Sequence, residues 1–126
     1  MTQRTARPLS PHLQVYKPQI TSVSSILNRI TGLLLSAFAV GWVIALICLN
    51  QGIGSWESFI GFAGSFPGCL LSMVATWSLF YHMLNGMRHL VWDTGHWLEL
   101  ETSKRTGWLV VIGSFVASAL AWGYWS

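Results

Sequence analysis

Residues Ile30–Leu49 read ITGLLLSAFAVGWVIALICL, a run without a single Asp, Glu, Lys or Arg. As a helix such a run is about 30 Å long, the thickness of a bilayer's hydrocarbon core. The charge-free tract extends from Arg29 to Glu57, a second runs from Glu57 to Arg88, and a third from Thr106 to the C-terminus. Each holds a spanning helix, so the sequence predicts an all-α integral membrane protein with three transmembrane helices. The first helix starts near Thr21, because nothing from Ser22 to Arg29 breaks it. The second runs from about Pro67, which suits a first helical turn, with Ser65 or Phe66 as the boundary. The expected spans are about 22–49, 67–89 and 106–125, in one membrane-anchor domain with a polar segment over 1–20. Gly113, Ala117 and Ala121 make a small-residue stripe for close helix packing, and Gly52–Gly64 has room for an interfacial helix.

Composition agrees. Of 126 residues, 52% are hydrophobic and 9% charged, against about 25% charged in soluble domains; mean hydropathy is +0.50. So few charges cannot cover a small soluble domain. This excludes a water-soluble monomer, a disordered chain and a nucleic-acid-binding module. Cys48 and Cys69 are too few for a disulfide framework or a cysteine metal site, and read as small apolar packing residues.

The basic residues set the orientation. Arg4, Arg7, Lys17 and Arg29 precede or open the first span; Arg88, Lys104 and Arg105 lie between the second and third. The Gln51–Phe66 loop and the C-terminus have none. The N-terminus is therefore expected inside and the C-terminus outside. Trp56, Trp122, Tyr124 and Trp125 fit an outer aromatic belt, and Trp92, Trp97 and Trp108 an inner one. Pro8, Pro11 and Pro18 exclude a long N-terminal helix. That segment has no apolar signal-peptide core, as expected for a bacterial or organelle-encoded product.

Ionisable groups inside a membrane are costly and mark function. His82 is the one clearly inside, about 10 Å from the basic end of its helix. Two readings stand: a histidine bonded to a neighbouring helix, or an axial haem ligand through neutral imidazole. Gly86, one turn on, leaves room for a porphyrin edge or serves plain helix packing. Arg29 has Ser25 one turn earlier on the same face. Arg29 suits a haem propionate or a quinone carbonyl, or is a snorkelling arginine. The Ser25 hydroxyl suits a quinone oxygen, or bonds back to its own helix. His89 shares a face with His82, but two turns apart the pair cannot ligate one iron. Asp93 either serves as a protonatable group near a quinone or caps its helix.

Two motifs carry a resemblance. RPLSPHLQVYKPQITSVSSILNRITG (Arg7–Gly32) and HMLNGMRHLVWDTG (His82–Gly95) together resemble the cytochrome b family of succinate dehydrogenase anchors, the larger of the two membrane anchors of respiratory complex II. The RPLSPH opening looks like the alphaproteobacterial and mitochondrial branch. The resemblance implies that Ser25 and Arg29 line a ubiquinone site, that Arg29 also approaches a haem propionate, and that His82 is an axial ligand of one haem b. It implies that this haem is shared in a heterodimeric bundle, the smaller anchor supplying the second ligand. Asn28, Gly86 and His89 would surround the haem. Some relatives carry a histidine where this chain has Asn28; Asn still donates a hydrogen bond. The implied partners are the smaller anchor, the iron–sulfur subunit, the flavoprotein, the lipid bilayer and ubiquinone, in a bacterial or mitochondrial inner membrane. With no flavin or iron–sulfur motif, the chain would be no enzyme on its own. The competing readings are a non-redox membrane protein, such as a transporter subunit or assembly factor, and the anchor of a fumarate reductase.

Overall fold

The computed structural model describes residues 18–125; the first seventeen residues of the expected 1–20 segment, with Arg4, Arg7 and Lys17, lie outside it. Among the described residues every regular element is a helix: α1 (Ile20–Gln51), α2 (Ile53–Ala63), α3 (Phe66–Asp93) and α4 (Leu100–Trp125). α3 packs against each of the other three, and α1 also meets α2 and α4.

α1 and α4 are each long and apolar enough to cross a membrane; α3 qualifies together with α2, to which it is bent by 75°. α3 has 28 residues, so length is not what it lacks. Its hydropathy is lowered by a polar row, Ser78, Asn85 and Arg88, buried within the bundle.

The interior and the surface exchange their usual characters. The buried side chains are mostly small or polar: Ser24, Thr31, Ala45, Ser78, Tyr81, Asn85, Arg88, Ser103, Val110 and Ser114. Large apolar side chains face outward, among them Leu33, Trp42, Leu109 and Leu120, each at least 67% exposed. In water such a surface would aggregate; in lipid it is the solvent-matched face. Small interfacial residues then let helices approach and polar ones bond across them. Hydroxyls that miss a neighbouring helix bond back one turn, as Ser72 to the Gly68 carbonyl and Ser118 to that of Ser114. On α4 the buried face follows Ser103, Gly107, Val110 and Ser114, with Gly113, Ala117 and Ala121 half-buried beside it.

The helix ends have local causes. Gly52 separates α1 from α2 at φ 113°, ψ 177°, a conformation open essentially to glycine alone. Ser65 caps α3, its hydroxyl accepting from the Gly68 amide, with Pro67 in the first turn. A Cβ on Gly68 would strike the carbonyls of Phe62 and Ala63, so the α2–α3 corner needs that glycine. α4 opens at Leu100, ahead of the charge-free tract at Thr106. Glu101 favours the helix N-terminus and pairs with Arg105 at 3.2 Å. The absence of charge marks where lipid can begin, not where the helix does. Both cysteines are free.

Candidate functional site

His82 projects from α3 onto α1. Its Nδ1 lies 3.1 Å from the Asn28 main-chain carbonyl and 3.3 Å from the Thr31 hydroxyl. A carbonyl only accepts. The Thr31 hydroxyl already faces the Leu27 and Asn28 carbonyls, at 2.8 and 3.1 Å, so its proton is committed there. Nδ1 therefore carries the ring proton, and neutral His82 keeps a lone pair on Nε2. Among the described residues Nε2 makes no hydrogen bond. Gly32 lets the ring lie this close: a Cβ there would sit 3.1 Å from Cε1.

The space next to His82 is open on one side. A Cβ built on Gly86 meets no atom within 4 Å, so this chain does not need a glycine there for its own packing. The Asn28 side-chain oxygen is buried without a partner. A free Nε2 and an open flank at Gly86 fit a haem that completes the site. Among the described residues no three of His, Cys, Asp and Glu converge.

Ser25 and Arg29 share an α1 face, but not the one that meets His82. Ser24, Asn28 and Thr31 point into the bundle; at about 100° per residue, Ser25 and Arg29 lie roughly a third of a turn away. Ser25 is half-buried and Arg29 exposed, and Arg29 makes no hydrogen bond or ion pair among the described residues. Asp93 is exposed at the end of α3.

A second polar centre forms around Arg88, which is 3% exposed. Its Nε donates to the Thr106 hydroxyl at 3.2 Å, Nη1 to Ser24 Oγ and Asn85 Oδ1 at 3.1 and 3.3 Å, and Nη2 to the Ser103 carbonyl and hydroxyl at 2.9 and 3.1 Å. The guanidinium lies 4.1 Å over the Trp92 ring. All five N–H groups are engaged and no carboxylate takes part, so three helices are clasped by one cation and neutral acceptors. Gly107 keeps α4 close: its Cβ would sit 3.2 Å from Ile20 Cγ1 and 3.7 Å from Arg88 Nη2. Nearby, Tyr81 donates to the Ser24 carbonyl at 3.3 Å, and His89 stands edge-on to Trp92 at 5.0 Å. Past the end of α3, Trp92 Nε1 holds the Trp97 carbonyl at 3.2 Å, with Trp97 at φ 61°.

Sequence reasoning alone did not single out Thr31, Gly32, Asn85, Ser24, Ser103 or Thr106. A signal was present for one of them: Ser78, Tyr81, Asn85 and Arg88 recur at three- and four-residue steps along an otherwise apolar helix. An apolar groove between α3 and α4, lined by Leu84, Met87, Val91, Leu109 and neighbours, lies on the opposite side of α3 from His82.

Comparison with known proteins agrees with this architecture. The family described as succinate dehydrogenase/fumarate reductase transmembrane subunit matches residues 3–121. The succinate dehydrogenase cytochrome b556 subunit of Rickettsia conorii is 40% identical, over 92% of this chain and 90% of the relative. The cytochrome b556 subunit of Paracoccus denitrificans is 37% identical, over 93% and 90%. The cytochrome b560 subunit of Reclinomonas americana is 38% identical, over 92% and 84%. With nearly the whole bundle inside the matched region and relatives of similar length, the chain belongs to the succinate dehydrogenase/fumarate reductase transmembrane subunit family.

Proposed function

We propose that this chain is the cytochrome b membrane anchor of a succinate:ubiquinone oxidoreductase, and that it shares one haem b with a smaller anchor subunit. It is a multi-pass inner-membrane protein of a family whose relatives are named succinate dehydrogenase cytochrome b subunits. The proposal places α1, α3 and α4 across the bilayer, α2 at the outer interface, and the N-terminus and the Arg88–Arg105 end inside. The basic residues at one end support this orientation. Succinate chemistry belongs to the flavoprotein and iron–sulfur subunits, which dock on the inner loop and N-terminal segment; alone, this chain is no enzyme.

One observation supports the haem reading above the rest: His82 spends its Nδ1 proton on the Asn28 carbonyl and leaves Nε2 without a partner among the described residues, while the flank at Gly86, one turn on, is open. A histidine ligand held by a carbonyl on its second nitrogen is fixed in tautomer and orientation. Bound haem b supplies one-electron redox chemistry. In this reading His82 holds the iron, Asn28 and Arg29 face the propionates, and His89 lies close by. Ser25 and Arg29 orient a ubiquinone oxygen, with Asp93 as a nearby protonatable group.

The test is a reduced-minus-oxidised spectrum of the whole complex with His82→Ala. Loss or a strong shift of the b-type bands is expected. An unchanged spectrum would return His82 to a packing role.

A further inference from the structure

Three side chains on the last turns of α3 are wired in series. Arg88 Nη1 donates to Asn85 Oδ1 at 3.3 Å, and Asn85 Nδ2 lies 3.3 Å from His89 Nε2. A guanidinium only donates. The Asn85 amide must therefore turn its oxygen to Arg88; flipped, it would set N–H against N–H. The amide then offers Nδ2–H to His89 Nε2, which has to accept. A neutral imidazole has one ring proton, so in His89 it sits on Nδ1, opposite to the tautomer a free histidine side chain prefers.

Burial removes the escape routes. Asn85 is 0% exposed, and the other N–H groups of Arg88 are held by Ser24, Ser103 and Thr106. Rotating the amide would strand two groups in a low-dielectric interior. At the other end of the series, His89 is half-buried, edge-on to Trp92, and its Nδ1 makes no hydrogen bond among the described residues.

We propose that Arg88 and Asn85 are positioning residues that lock His89 with its proton on Nδ1, presenting that N–H to an oxygen acceptor bound against α3 from outside the chain. The acceptor is a carboxylate or carbonyl oxygen. The inference rests on the function proposed above, which supplies two such oxygens: a haem propionate and a quinone carbonyl.

The intact complex, labelled with 15N-histidine, tests this directly. Resonances that vanish in His89→Phe belong to His89. A protonated Nδ1 and bare Nε2 are expected; the reverse overturns the proposal. Asn85→Asp keeps the shape and Arg88's acceptor but replaces the donor with a second acceptor. It should place a proton on His89 Nε2, and an Nε2 that stays bare overturns the relay. If Asn85→Asp does not assemble, the wild-type measurement still decides.

His89→Phe then names the acceptor. A shifted haem midpoint potential with unchanged quinone KM identifies the propionate. A KM raised about tenfold, the worth of one hydrogen bond, with unchanged potential identifies the quinone. If neither moves, the donor faces no ligand and that half of the proposal falls. A complex without b-type absorption or quinone reduction would instead sink the underlying function, while the tautomer stays measurable.

Discussion

Nδ1 of His82 on α3 lies 3.1 Å from the main-chain carbonyl of Asn28 on α1. This one bond joins the two helices and commits the ring's proton. The nitrogen left without a partner among the described residues is then Nε2. Glycine at 32 eases the approach, because a Cβ there would press on the imidazole edge at 3.1 Å.

Gly32→Ala tests that relationship. The new Cβ would sit 3.1 Å from Cε1, closer than an unstrained contact. The ring must turn, lengthening its bond to Asn28. The expected result is a complex that assembles but holds haem more weakly, read as reduced b-type absorbance per complex. Full haem content would mean that α1 does not orient His82.

Gly86→Ala should act differently. No atom of this chain stands within 4 Å of the added methyl, so the fold of the chain itself should be untouched. Whatever lies against that flank in the assembled complex must make room. A shifted haem spectrum or weaker association with the smaller anchor is expected. Wild-type behaviour in both would place no group at that flank.

Arg88→Leu removes five hydrogen bonds at once. Several acceptors lose their donor, though the Thr106 hydroxyl keeps its bond to the Thr102 carbonyl. The expected cost is about 3 kcal/mol, as for breaking a buried charged network. Arg88→Lys should fall between, since an ammonium has three donors without the planar fork. Thermal denaturation of the purified complex should rank wild type above lysine above leucine.

Arg29→Ala and Ser25→Ala address the outward α1 face. Both should lower quinone reduction far more than dye-coupled succinate oxidation, which bypasses the membrane. Parallel loss of both activities would signal failed assembly instead.

A reporter fused after Ser126 should be active only outside the cytoplasm, as three crossings from an inner N-terminus require. Activity in the cytoplasm would sink the three-crossing topology.

What the sequence determined by itself was the membrane character and where its charge-free runs lie. Runs free of charge from Ile30, Pro67 and Thr106 need no tertiary knowledge, because transfer into lipid depends on each helix's own side chains. Ser65 and Pro67 likewise announced the start of α3, since capping is local chemistry. His82 was conspicuous for a similar reason: an ionisable group within an apolar helix is costly wherever the helix packs. The tertiary structure decided which polar residues meet. Ser24 and Ser25 are adjacent in sequence, yet one grips Arg88 in the interior while the other faces outward, because about 100° of helical turn separates them and α3 covers one side only. Arg88 looked like one more basic residue at the inner interface. Only the packing of Ser24, Ser103 and Thr106 around it made it the buried clasp of three helices, since those acceptors come from segments far apart in the chain and converge only when the bundle closes.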